Sequence, residues 1–164
     1  MKKLMVTAAA VAVIGLGGFF VATAMASPET KIRWRLEEMA EDFNLARPGP
    51  LSRGLADDFR EETAGVGKQD IRAFVTQMTF TERDKETKKF LHRVTLPEEE
   101  MSIEVDPADS TKAHVDLVAT FEKLRKGSWD LSWRVSIDAD LVDGDDGWQV
   151  LRATHETLEG DGFR

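Results

Sequence analysis

The sequence predicts an α+β domain in which helices come first and a long antiparallel sheet follows. Residues 131–141 alternate apolar and polar side chains, the pattern of a strand buried on one face. Ile32, Leu36 and Phe43 recur earlier at helical spacing and form one apolar stripe. Because the strand patterns follow one another without intervening helices, they indicate an antiparallel meander, not βαβ units.

The first helix begins at a well-defined position. Ser27 suits the N-cap, Pro28 suits the first helical turn, and Glu29 favours the positive end of the helix dipole. The run Arg-Pro-Gly-Pro at residues 47–50 ends the helix. The first helix is therefore followed directly by a connecting region.

The connecting region contains shorter elements. We expect a short helix over Leu51–Ala56, a brief strand over Phe59–Glu62 and a loop over Ala64–Gly67. A second long helix follows, with one apolar face. That face consists of Ile71, Phe74, Val75 and Met78.

Five strand patterns fill the second half of the chain. Pro and Gly/Asp-rich turns separate them. The predicted strands cover residues 90–96, 101–105, 111–122 and 131–141, with a last one around Trp148.

Length, composition and charge limit the classes of function. The 164 residues are 41% hydrophobic and 32% charged, which suits one globular domain plus a processing segment. The net charge is −8, and the two lysines of the first 26 residues leave −10 on the remainder. A domain this acidic repels phosphate backbones and anionic membrane surfaces, so nucleic-acid binding is excluded as a function.

The first 26 residues have the pattern of a targeting segment. Lys2 and Lys3 precede an uncharged stretch that ends in Ala24-Met25-Ala26, a cleavage pattern before Ser27. The alternative is an uncleaved membrane anchor, the one route to a membrane. Either way residues 27–164 form an exported domain, and the lack of cysteine leaves its stability to packing.

The sequence contains no complete calcium-loop, phosphate-loop or zinc motif. Counted from Asp138, the acidic loop has Val142, Asp143 and Gln149 at the positions where a calcium loop needs an oxygen ligand, a Gly and a Glu. Gly65–Lys68 lacks the earlier Gly and the following Ser or Thr of a phosphate loop. The three histidines are scattered without zinc spacing. The sequence therefore predicts no catalytic residue, no metal site and no cofactor.

A polar face accompanies the apolar face of the sheet. Asp116, Arg134 and Asp138 have the residue types of an acid–base set. Alternation places them on the side of each strand that faces water, together with His114, where cross-strand ion pairs form. We interpret this face as solvated.

The last strand has two competing registers. Trp148 and Val150 share one face while Leu151 and Ala153 share the other, which indicates a bulge or burial on both sides. Counting from the first pair points Arg152 inward, where it would hold an anionic ligand. Counting from the second points His155 inward, where it would allow proton transfer.

The same last strand carries a family resemblance. The ending Gly147-Trp148-Gln149-Val150, with Gly67–Phe74 before the sheet, resembles the nuclear transport factor 2-like superfamily, in particular its SnoaL-like members. The resemblance covers residues 28–158. It implies a cone, in which a curved sheet wraps around two to three helices and leaves a pocket at the wide end.

The resemblance also shapes the functional hypotheses. The steroid isomerases and scytalone dehydratases of the superfamily rely on tyrosine, and this chain has none. We therefore predict a non-catalytic domain that binds a small apolar or anionic molecule or a partner protein, with a homodimer as a further option. The alternative is a hydrolase, dehydratase or isomerase that uses an Asp/His pair in the cone.

Four residues are the predicted ligand contacts. They are Arg152, His155, Trp133 and Trp148. Trp133 is also predicted to be among the most buried residues, facing the helical stripe of Ile32, Leu36 and Phe43.

Overall fold

The computed structural model describes residues 26–163 as three α-helices and seven strands. The helices are α1 (Pro28–Asn44), α2 (Pro48–Arg53) and α3 (Lys68–Thr81). The strands are β1 (Leu55–Glu61), β2 (Val66–Gly67), β3 (His92–Thr95), β4 (Met101–Val105), β5 (Lys112–Arg125), β6 (Ser128–Gly144) and β7 (Gly147–Gly160). One turn of 3-10 helix, Glu98–Glu100, precedes β4.

All seven strands form one sheet in the order β2-β1-β7-β6-β5-β3, with β4 also paired to β5. The long strands β5, β6 and β7 are antiparallel neighbours, as the alternation predicts. The exception is β1, which pairs in parallel with β7. The predicted α+β class is confirmed, with a mixed sheet in place of a purely antiparallel one.

Register shifts bend this sheet into the predicted cone. The bulges are single extra residues, Ser132 in β6 and Leu151 and Leu158 in β7. Each bulge adds a residue to one strand and increases the local twist, so the long strands curl. The concave face then wraps around the helices, and Val115 and Val135 on it are almost completely buried.

Helix α1 begins and packs as its sequence indicates. The backbone N–H of Thr30 donates to Ser27 Oγ at 3.3 Å, and Pro28 occupies the first turn. Ile32 is fully buried and Leu36 nearly so. Arg35 Nη2 donates to the Asp146 carbonyl at 2.7 Å, which joins the outer side of the helix to the β6–β7 hairpin.

The connecting region differs from its prediction. The short helix covers Pro48–Arg53 and not Leu51–Ala56, and Leu55 already belongs to β1. The cause is a distant partner, because Val150 N–H donates to the Gly54 carbonyl at 2.8 Å and Leu55 pairs with Val150. Pairing with the last strand overrides the local helical pattern.

The predicted signal peptide or membrane anchor lies outside the described residues, apart from Ala26 at its end. Within residues 26–163, no helix combines the length and the apolar character that a membrane span requires. Export and cleavage before Ser27 stay predictions.

Candidate ligand-binding cavity

The cone encloses a cavity of about 310 Å³ between the concave face of the sheet and the helices. That volume lies at the lower end of the range for small-molecule sites. Its wall is almost entirely apolar and combines α1, α2 and α3 with the inner faces of β1, β5, β6 and β7. Representative wall residues are Leu36, Phe43, Leu51, Phe59, Val75, Leu117, Val135 and Val150.

Two ionisable side chains, Glu61 and His155, interrupt the apolar wall. Glu61 closes β1 and His155 lies on the neighbouring strand β7, where Glu61 pairs with Ala153. His155 Nδ1 lies 2.9 Å from Glu61 Oε1. The Glu61 side chain is 12% exposed and that of His155 is 24% exposed, so water screens this pair only partly.

Glu61 is held as a carboxylate by the loop that follows it. Its oxygens accept hydrogen bonds from the backbone N–H groups of Thr63 at 3.0 Å and Ala64 at 2.6 Å. Burial alone would raise the pKa of Glu61. The hydrogen bonds from Ala64, His155 and Thr63 outweigh burial and leave the pKa below its ordinary value. Glu61 is therefore an ionised acceptor fixed in one orientation.

This carboxylate fixes the orientation of His155. With Nδ1 donating to Glu61, Nε2 is the remaining polar atom of the ring, and no hydrogen bond reaches Nε2 from the described part of the chain. The ring of Trp133 stands edge-to-face against it, with centroids 5.3 Å apart. Trp133 is held in turn by its Nε1–H, which donates to Thr157 Oγ1 at 3.0 Å. His155 thus lines the apolar cavity with its ring held between Glu61 and Trp133.

The prediction that Arg152 points inward is wrong. Its side chain is 64% exposed on the outer face, 3.8 Å from Glu62. The predicted bulge causes this, because Val150 pairs with Leu141 and Arg152 with Asp140, which leaves Leu151 as the extra residue. From Arg152 onward the side chains of β7 alternate again, with Arg152 on the outer face and Ala153 on the cavity wall.

The two tryptophans differ from each other in burial and in their relation to the cavity. Trp133 lines the cavity but is half-buried, so the prediction that it is among the most buried residues is wrong. Trp148 is 3% exposed, belongs to the core cluster, and does not line this cavity. It borders a separate open recess beside Lys31 and Trp34. Of the four predicted contacts, His155 and Trp133 meet at the cavity.

Two cavity residues, Glu61 and Phe163, were not predicted from the sequence. The sequence presents Glu61 as one of several acidic residues in a short strand, with no local sign of its partner. Phe163 follows the pattern Gly160-Asp161-Gly162, in which two closely spaced glycines indicate a sharp change of direction. That spacing was the available signal for Phe163.

A separate polar cluster lies on the outer face of the sheet. His114 Nδ1 lies 3.0 Å from Asp140, and its Nε2 lies 3.5 Å from Asp138 and 3.7 Å from Asp116. Donor atoms of His114, Asp116 and Asp138 lie within 4.8 Å of one another, a spacing that could hold a metal ion. The hydrogen bond to Asp140 raises the pKa of His114, aided by the other two carboxylates against partial burial. A histidine that holds its proton competes with metal binding, so we assign this cluster to surface ion pairing.

Comparison with solved structures places this geometry in a known fold. An NTF2-like protein with a cystatin-like fold from Novosphingobium aromaticivorans is 12% identical, with a TM-score of 0.64 over 89% of this chain and 90% of that one. A nuclear transport factor 2-like superfamily protein from Salmonella enterica is 13% identical, with a TM-score of 0.60 over 83% and 94%. A candidate scytalone dehydratase, also from Novosphingobium aromaticivorans, is 13% identical, with a TM-score of 0.64 over 83% and 87%.

The chain therefore has the nuclear transport factor 2-like fold, and the resemblance predicted from its sequence is confirmed at that level. No protein-family model matches the sequence, and no curated protein matches it. At identities this low the shared fold does not assign a function.

Proposed function

We propose that the protein binds one small, mostly apolar molecule inside the cone, through a single polar group that hydrogen-bonds to His155. One observation carries the proposal: an apolar cavity of about 310 Å³ whose ionisable wall residues form one oriented pair. Burial of apolar ligand surface supplies about 25 cal/mol per Å². His155 Nε2 then determines which molecules gain a hydrogen bond.

Charge favours a neutral ligand over an anionic one. The carboxylate of Glu61 lies on the wall, while Arg152, the cation expected to attract an anion, lies outside the cavity. The sequence as a whole carries a net charge of −8. A buried anion would lose its hydration without gaining a cationic partner. The preferred ligand is therefore a neutral alcohol, phenol or amide on an apolar skeleton.

A matched pair of probes tests the role of His155. 1-Naphthol and naphthalene share one skeleton and differ by a hydroxyl group, and equilibrium dialysis measures the affinity of each. A net hydrogen bond contributes about 0.5–1.5 kcal/mol, so naphthol should bind about 2- to 10-fold tighter than naphthalene. In His155→Leu this advantage should disappear, while the affinity for naphthalene stays within about twofold.

The exposed residue Arg152 provides the control on the same strand, because Arg152→Leu also adds an apolar side chain but on the outer face. It should leave both affinities unchanged. If 1-naphthol binds tighter than naphthalene by the same factor in wild type and in His155→Leu, His155 does not hydrogen-bond to the ligand. Failure of wild type to bind either probe would contradict a binding function of this size class.

A second candidate function is an acid–base enzyme, and the Glu61–His155 contact favours it. A carboxylate that orients an imidazole through Nδ1 leaves Nε2 as a general base for a bound substrate. The two functions separate by mass spectrometry of any compound that binds. Recovery of the unchanged compound supports binding alone, whereas a product formed by wild type and not by His155→Gln supports the enzyme.

A further inference from the structure

The chain turns back sharply after its last strand. Gly160 and Gly162 have φ values of +85° and +75°, in the region that residues with a side chain rarely adopt. A Cβ at Gly160 would also overlap the Ser132 carbonyl oxygen. Both glycines are thus required by the path of the tail, which brings Phe163 back over the sheet.

Phe163 fits into a ring of aromatic side chains at one end of the cavity. Its ring centroid lies 5.0 Å from that of Phe121, 5.6 Å from Trp133 and 5.5 Å from Phe74. These neighbours belong to β5, β6 and α3, so Phe163 bridges the sheet and a helix. Phe163 is itself part of the cavity wall.

The exposure of the wall residues shows which end of the cavity Phe163 occupies. Leu117, Val135 and Val150 on the wall are buried, whereas Phe74 is 41% exposed and Phe163 is half-buried. Phe74 and Phe163 therefore form the more exposed end of the cavity wall, the end from which a ligand would enter.

Few hydrogen bonds attach the tail to the sheet. Among the described residues beyond Gly160, the one hydrogen bond is from Ser132 Oγ to the Gly162 carbonyl, at 3.2 Å. Segments with few hydrogen bonds open at lower free-energy cost than the strands of a sheet, so displacing the tail chiefly costs the contacts of one ring. The Phe163 ring packs against five aromatic side chains, namely Phe43, Phe74, His92, Phe121 and Trp133.

We infer that Phe163 is a displaceable plug that narrows the mouth of the cavity and sets the size of the ligand it admits. The inference rests on the proposed binding function and adds a size limit to it. With the plug seated, the cavity suits a compact molecule of one or two rings. With the plug removed, the same apolar space is continuous with solvent and accepts a longer apolar molecule.

Two neutral probes of different length test this size limit. 1-Naphthol is the compact probe, and N-phenyl-1-naphthylamine carries a further ring on the same bicyclic skeleton. In Phe163→Ala the ratio of the affinity for the longer probe to the affinity for 1-naphthol should rise at least fivefold. Ser132→Ala, which removes the hydrogen bond of the tail, should shift the ratio in the same direction by a smaller factor.

Phe80→Ala is the matched control, because Phe80 is 80% exposed and outside the cavity wall. It should leave both affinities unchanged, and far-UV circular dichroism checks that each variant is folded. If the ratio of the two affinities is unchanged in Phe163→Ala, or if both affinities fall equally, Phe163 is a wall residue with no role in size selection. That result overturns the inference but leaves the proposed binding function standing. If neither probe binds wild type or Phe163→Ala, the proposed binding function fails together with it.

Discussion

Trp148→Ala should lower the free energy of unfolding by about 3–5 kcal/mol, the usual cost of truncating a buried aromatic side chain. Trp148 is 3% exposed and joins the core cluster that includes Ile32 and Leu141. The start of β7 packs against α1, whose Arg35 donates to the Asp146 carbonyl just before the strand. Truncation would open a void that a closely packed core cannot fill. Urea unfolding, followed by circular dichroism, measures the loss.

Two other tryptophans make the test specific. Trp133 is half-buried at the cavity, so Trp133→Ala should cost roughly 1–2 kcal/mol. Trp34 is 43% exposed, and Trp34→Ala should change stability by about 0.5 kcal/mol or less. A larger loss at Trp133 than at Trp148 would mean that the bulges of β6 and β7 are misplaced.

Glu61→Ala should cost about 2–3 kcal/mol, because it leaves several donors without an acceptor. The carboxylate accepts from the N–H groups of Thr63 and Ala64 and from the ring of His155. Glu62→Ala is the neighbouring control. Glu62 is exposed, and within residues 26–163 its one ion-pair partner is Arg152, at 3.8 Å. Glu62→Ala should therefore change stability by less than about 0.5 kcal/mol.

The effect of Glu61 should also depend on pH. Since the pKa of Glu61 lies below its ordinary value of 4.5, the unfolded chain binds the proton more readily than the folded one. The stabilisation by Glu61 is therefore complete above pH 4.5 and is lost as the pH falls through the lowered value. Unfolding curves of wild type and Glu61→Ala should converge in acid. A constant difference down to pH 3 would show that the carboxylate charge contributes nothing.

The longest elements were predictable from the sequence because each follows one period without interruption. The alternation of residues 131–141 and the capped apolar stripe from Ser27 to Phe43 predict β6 and α1 directly. The orientation of Arg152 could not be derived in this way. A bulge at Leu151 breaks the alternation of β7, and its position depends on pairing with β6.

The candidate site was less accessible to sequence reasoning than the fold. Glu61 and His155 are 94 positions apart and meet because β1 lies parallel to β7. No period or motif in either strand encodes that pairing, which arises when α2 and the turn at Gly54 deliver β1 to the edge of β7. The polar residues on the outer face, by contrast, follow simple alternation.

Binding of 1-naphthol to Ala153→Leu, measured by equilibrium dialysis beside Arg152→Leu, tests the central claim most directly. Ala153 lies on the cavity wall and Arg152 on the opposite face of the same strand. A leucine at position 153 fills space that the ligand needs, so the affinity should fall at least tenfold while the protein stays folded. Arg152→Leu should bind like wild type. Equal binding by all three proteins, or a loss confined to Arg152→Leu, would contradict a ligand site inside the cone.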